Sequence, residues 1–172
     1  MKPASPTRRL LFKAGLAIGV LGAAGAGSLW WRRGVVNGHL SDSGKALFRA
    51  VARGVLSDIL PAEASAREAA LNDHLSRLDG YVALLPAAVR QELALLVGAL
   101  SNLPSRLLLT GMYTDWSRAS DTQVQHALET LRLAGSATNR SIYHGLRDVV
   151  CLTYFSVPQT WAITGYPGPA DV

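Results

Sequence analysis

Side chains able to do chemistry are few and scattered along this chain. The single cysteine, Cys151, lies between Val150 and Leu152, where it reads as a small core residue rather than a reactive thiol. One thiol supports no intrachain disulfide, no iron–sulfur cluster and no Cys-x-x-Cys-His attachment of haem. Four histidines, His39, His74, His126 and His144, show neither an i, i+4 pair nor a His-Glu-x-x-His run, so a metal site would need convergence across the fold. Glycines form no Gly-x-Gly-x-x-Gly loop after a strand, and no Gly-Lys-Ser/Thr phosphate loop occurs. Glu92 and Glu129 read as solvated helix faces rather than general acids. The expectation is a chain with no catalytic residues that holds no FAD, haem or metal of its own.

The elements that would carry these residues read as helices. Ser41 or Asp42 can N-cap a helix with Leu47, Val51, Val55 and Ile59 on one stripe, stopped by Pro61. A second helix, about Ala66 to Leu84, aligns Leu71, Leu75, Leu78 and Val82. Pro86 suits the first turn of a third, with Val89, Leu93, Leu96, Val97 and Leu100 inward, and Pro104 ends it or opens the next. Residues 103–113 are very apolar, but Ser101, Asn102, Pro104, Ser105 and Arg106 interrupt them and argue against a membrane span. Asp121 caps a helix bearing Val124, Leu128 and Leu131, and Asn139 starts the last, with Ile142, Leu146, Val149, Val150 and Tyr154 inside. No strand-like alternation competes. The fold class is therefore all-α, a single domain of five or six helices over residues 35–155 with short connections.

Charge divides the chain. Its 172 residues carry 17 Lys+Arg against 12 Asp+Glu, a formal +5. Residues 1–34 hold Lys2, Arg8, Arg9, Lys13, Arg32 and Arg33 with no acid, leaving a body that is nearly neutral. A neutral body lacks the clustered cations that nucleic acid requires. An apolar content of 49% with only 17% charged residues points to a packed core.

The basic start, the apolar run Ala14–Trp31 and the small-residue site at Ala24 and Ala26 have the layout of an export signal. Thr7-Arg8-Arg9-Leu10-Leu11-Phe12-Lys13 is similar to the twin-arginine pattern Ser/Thr-Arg-Arg-x-Phe-Leu-Lys, with Phe and Leu exchanged, which a translocon receptor reads as an address. The other reading is a membrane anchor, since the run spans 18 residues and Trp30, Trp31, Arg32 and Arg33 suit a membrane interface. Twin-arginine cargo travels folded, holding a cofactor or bound to a partner. With no cofactor ligands in sight, a partner is expected.

The segment 156–172 has few helix formers and reads as an extended tail. Pro167-Gly168 suits the centre of a type II turn. Trp161 and Tyr166 either cover the protein's own helices or fill a partner's groove.

Taken together, the twin-arginine start, Leu60-Pro61, Leu78-Asp79-x-Tyr81 followed by Leu85-Pro86, and Phe155-x-x-Pro158-x-x-Trp161 followed by Gly165-Tyr166-Pro167-Gly168-Pro169 resemble the small (gamma, or subunit 3) component of membrane-associated flavin dehydrogenases of the gluconate, fructose, sorbitol and glucose dehydrogenase type. The chain departs from that pattern at Thr114-Asp115-Trp116 and at Leu131 and Leu133. The resemblance implies a non-catalytic subunit that binds a GMC-type catalytic subunit containing FAD, aids its maturation and carries it through the twin-arginine translocon to the periplasm. There a multihaem cytochrome c subunit, with haem c, accepts the electrons at the inner membrane. It implies address roles for Arg8, Arg9, Phe12 and Lys13, and docking roles for Tyr154, Phe155, Trp161, Tyr166, Pro167, Gly168 and Pro169. The alternative is a free-standing exported or membrane-anchored helical protein with no flavoprotein partner.

Overall fold

The computed structural model describes residues 33–168. The residues expected to serve as an export address, Arg8, Arg9, Phe12 and Lys13, those of the expected cleavage site, Ala24 and Ala26, and Pro169 of the tail lie outside them. Among the described residues the order is a hairpin, β1 (Val35–Val36) and β2 (His39–Leu40), then helices α1 (Asp42–Val55), α2 (Ala64–Leu84), α3 (Ala87–Ser101), α4 (Leu103–Thr110), α5 (Asp121–Leu133) and α6 (Ala137–Tyr154). Two short 3-10 turns, Pro158–Thr160 and Ala162–Thr164, come after α6.

Helix α1 is the axis of the bundle. Leu47, Phe48, Val51, Ala52 and Leu56 are completely buried, and α2, α3, α5 and α6 all pack against it. Such crowding needs small residues where neighbours come close. A Cβ at Gly54 would lie 2.7 Å from Leu128 Cδ1 and 3.0 Å from Val124 Cγ1, so α5 rests directly on the α1 backbone there. At the other end, a Cβ at Gly44 would meet the Gly34 carbonyl oxygen at 2.5 Å. Arg53 donates to the Ala119 carbonyl at 2.7 Å and Gln125 to the Gly54 carbonyl at 2.7 Å, which fixes the α1–α5 register.

The helix starts differ from the sequence reading in small, explicable ways. Ser41 rather than Asp42 caps α1, accepting from Gly44 N at 3.1 Å. Helix α1 stops at Val55 and continues to Leu60 as turns. For α2 the cap is Glu63, whose carboxylate accepts from Ser65 N and Ala66 N. Ser120, not Asp121, caps α5: its hydroxyl accepts from Gln123 N while the Gln123 side chain accepts from Ser120 N, a reciprocal capping box. That frees Asp121 to pair with Arg53 at 3.3 Å and Arg67 at 3.7 Å. Helix α6 begins at Ala137, two residues before Asn139.

The hairpin is a correction to the expectation of no strand. Val35 pairs with Leu40 and Val36 with His39 in antiparallel register, and Asn37 (φ 52°) and Gly38 (φ 87°) both take the left-handed backbone of a two-residue turn. Asp79 on α2 holds it: Leu40 N donates to Asp79 Oδ1 at 2.6 Å, and His39 Nδ1 lies 2.8 Å from Oδ2. Burial pushes this carboxyl up, yet the bonds from Leu40 and His39 outweigh it and hold the group below its ordinary value.

Glycine substitutions should change stability with opposite sign at two helical sites. Gly54→Ala drives a methyl into Leu128 and Val124 and should cost about 1–3 kcal/mol. Gly145→Ala, in α6 with open space around it, should gain about 0.5–1 kcal/mol by restricting the unfolded chain. Thermal unfolding of both variants checks the pair; equal shifts would contradict the close α1–α5 approach.

Candidate docking site

The C-terminal segment holds the residues to which the resemblance assigns docking, and the structure gives it a definite shape. It is not extended. After α6 the chain curls through the two 3-10 turns around Trp161. The indole Nε1 donates to the Phe155 carbonyl at 2.9 Å. The Trp161 carbonyl accepts from Tyr166 N at 3.3 Å and from the Thr164 hydroxyl at 2.8 Å. The Tyr166 ring stands edge-on to the indole with centroids 5.5 Å apart. Gly165 (φ 71°) and Gly168 (φ 101°) take the positive φ that lets the chain wrap so tightly. A Cβ at Gly168 would touch the indole at 3.4 Å.

Behind this hook Thr160 is buried, its hydroxyl donating to the Tyr154 and Val157 carbonyls. Tyr154 is 3% exposed and belongs to the core. It leaves the docking set, because it stacks edge-on with Phe155 and against His74 from inside the bundle. Phe155 is half-buried against the same cluster. Trp161 is half-buried as well, while Pro167 and Tyr166 are exposed. Ile163, which the sequence reading does not single out, is 54% exposed on the second 3-10 turn. The Trp161 indole edge is thus committed to the chain's own backbone, and the turn around it leaves Ile163 and Tyr166 exposed. A 3-10 turn between Pro158 and an αL glycine is the signal that could have marked Ile163.

Elsewhere, His74 and Cys151 are drawn into the packing. His74 is completely buried on α2. Its Nε2 lies 2.9 Å from Thr153 Oγ1 and 3.2 Å from the Val150 carbonyl. The Thr153 hydroxyl donates to the Val149 carbonyl at 2.8 Å, so Nε2 carries the proton and donates, and Nδ1 is left buried without a partner. Burial pulls the imidazole down to about 4. Cys151 is half-buried, and burial pushes its thiol up, away from nucleophilic use. Among the described residues, no group of three or more His, Cys, Asp or Glu side chains converges as metal ligands would. A shallow groove between α1 and α2 is lined by Lys45, Ala46, Arg49, Asn72, Leu75, Ser76 and Asp79. Three of these are already engaged: Arg49 and Asn72 with each other, Arg49 also with Glu68, and Asp79 with the hairpin.

Comparisons of the chain with protein-family models, with curated proteins and with solved structures find no match.

The buried histidine makes stability depend on pH. His74 titrates near 6.5 in the unfolded chain and near 4 in the fold, so between those values only the unfolded chain takes up the proton. Its contribution is complete above pH 6.5 and is lost as pH falls toward 4, by about 3 kcal/mol. Urea unfolding at pH 7 and pH 4 should show a smaller drop for His74→Leu than for the parent. An identical drop in both would refute a buried neutral imidazole.

Proposed function

We propose that the chain is the non-catalytic small subunit of a flavin dehydrogenase complex. It binds the GMC-type catalytic subunit that contains FAD, aids its maturation, and carries it through the twin-arginine translocon to the periplasmic side of the inner membrane. There the complex passes electrons to a multihaem cytochrome c. The observation that carries this reading is the C-terminal hook. A segment rich in Pro and Gly usually loses much entropy when it binds, but here the Trp161 bonds and the positive-φ glycines Gly165 and Gly168 have already ordered it. Exposed Ile163 and Tyr166 on such a hook have the character of interface anchors. The address in Arg8 and Arg9 and the resemblance of the Phe155–Pro169 segment to flavin dehydrogenase small subunits support the same assignment.

Two measurements test it. Arg8→Lys with Arg9→Lys should strand both this chain and the flavoprotein in the cytoplasm; normal export of the flavoprotein would overturn the carrier role. Ile163→Ser with Tyr166→Ser keeps the hydrogen bonds of Trp161 and of the Tyr166 backbone and removes the exposed side chains. Loss of about 2 kcal/mol or more from the interface should weaken co-purification of the flavoprotein roughly 30-fold, and unchanged recovery would remove the hook from the interface.

A further inference from the structure

Helix α4 is inside out. Its solvent face consists of Leu103, Pro104, Leu107 and Leu108, continued by Gly111 just past the helix end, on one stripe with no charged or hydrogen-bonding side chain. Leu108 is 81% exposed. The inward face instead carries Arg106 and Thr110 beside Leu109. Tyr113, exposed as well, lies just beyond the stripe.

We propose that this stripe lies in the headgroup boundary of a lipid bilayer, the one that the apolar run Ala14–Trp31 would enter. Three observations point to lipid. The first is where that run joins the body. Only Arg32 and Arg33 separate it from Gly34, a reach of about 10 Å. Gly34 is pinned to α3: its N–H donates to the Ala94 carbonyl at 3.4 Å, and a Cβ there would fall 2.2 Å from Val97 Cβ. Helix α3 continues seven residues from Ala94 to Ser101, roughly 10 Å, and α4 turns away at Leu103, so the run joins the body on the helix that leads into α4.

The second observation is composition. No single helix among the described residues is long and apolar enough to cross a membrane, but α3 and α4 pass that test together. They are bent by 86° and the last two turns of α3 are core, so the pair does not form one straight span, and α4 is the member that turns its leucines outward. Tyr113 beside the stripe suits the same boundary, with an apolar ring and a polar tip.

The third is size. An eight-residue helix is about 12 Å long and 10 Å wide, an order of 100 Å² of face, against about 800 Å² per partner in a stable dimer. A second copy therefore gains little from this stripe alone, whereas a bilayer needs no matching surface.

The test places an environment-sensitive dye at Leu108→Cys in the full chain carrying Cys151→Ser, reconstituted with vesicles of equal parts phosphatidylethanolamine and phosphatidylglycerol. The same dye at Glu68→Cys on α2 is the reference. At position 108 emission should shift to the blue, iodide quenching should fall severalfold, and acyl-chain spin-labelled lipid should quench strongly; position 68 should behave as in water. Adding Leu107→Ser should reduce the lipid quenching at 108. Equal iodide quenching at the two positions overturns the proposal. Shielding of position 108 without lipid that disappears on dilution assigns the stripe to a second copy and also overturns it. Shielding that requires the flavoprotein assigns it to that partner with the same result, and leaves the hook-dependent co-purification as a separate question.

Discussion

The buried guanidinium of Arg106 is the constraint on which the shape of half the molecule depends. The residue is 3% exposed, and a charge taken out of water costs several kcal/mol unless its donors are met. Arg106 meets them with the carbonyls of Ser101 at 2.9 Å, Tyr113 at 3.1 Å and Met112 at 3.3 Å, and with the Asp115 carboxylate at 3.5 Å. Those acceptors lie on both sides of α4 in sequence. To gather them, the chain must leave α3 at Asn102, turn sharply, run two helical turns and reverse at Gly111, whose φ of 69° ends the helix. The returning loop then sets Trp116 in the core, with its indole donating to the Leu100 carbonyl at 2.7 Å. With the cation pointing in, the leucines of α4 have nowhere to go but out.

The same logic of satisfied backbone governs the other end. Helix α6 packs against α1, α2 and α5, and its last turn is tied down by His74, Thr153 and by Arg77, which donates to the Thr153 carbonyl at 3.2 Å. Tyr154 closes the core at that point. Beyond Phe155 the chain cannot continue as a helix because Pro158 lacks an N–H, so the Phe155 carbonyl finds the Trp161 indole and the Tyr154 carbonyl finds the Thr160 hydroxyl. The hook is the way this chain end satisfies its carbonyls, and its outward anchors are a consequence of that closure.

Much of this is legible in the amino-acid sequence. Helical stripes such as Val124, Leu128 and Leu131, or Ile142, Leu146 and Val150, are buried as their spacing predicts. His74 stands on the stripe of Leu71, Leu78 and Val82, so its burial can be read from position. Caps shift by one residue where two capable side chains adjoin: Ser120 prevails over Asp121 because Gln123 three residues on can close the box. Asn37-Gly38 is a strong hairpin signal, missed because strands of two residues leave no alternation to see. Arg106 reads in sequence as an interruption in an apolar stretch. A lone cation says nothing about whether carbonyls distant in the chain will gather around it. Trp161 leaves its two roles open because packing on its own chain and presenting an anchor call for the same residue type.

The two exposed surfaces differ in a way that bears on what each can recognise. Protein interfaces obtain their register from polar groups at the rim and from aromatic anchors that fill pockets. The hook has both: Thr164 and the Tyr166 hydroxyl beside Trp161 and Ile163. The α4 stripe has neither, since its side chains are three leucines and a proline with no donor or acceptor among them. Such a face can lower its exposure against any apolar medium but cannot choose between partners. It therefore suits a surface without sequence, whereas the proposed docking role of the hook calls for a partner of matching shape. An anchored run ahead of Gly34 and a leucine stripe on α4 would together fix the orientation of the body at a membrane, leaving to the hook the part of recognition that requires shape.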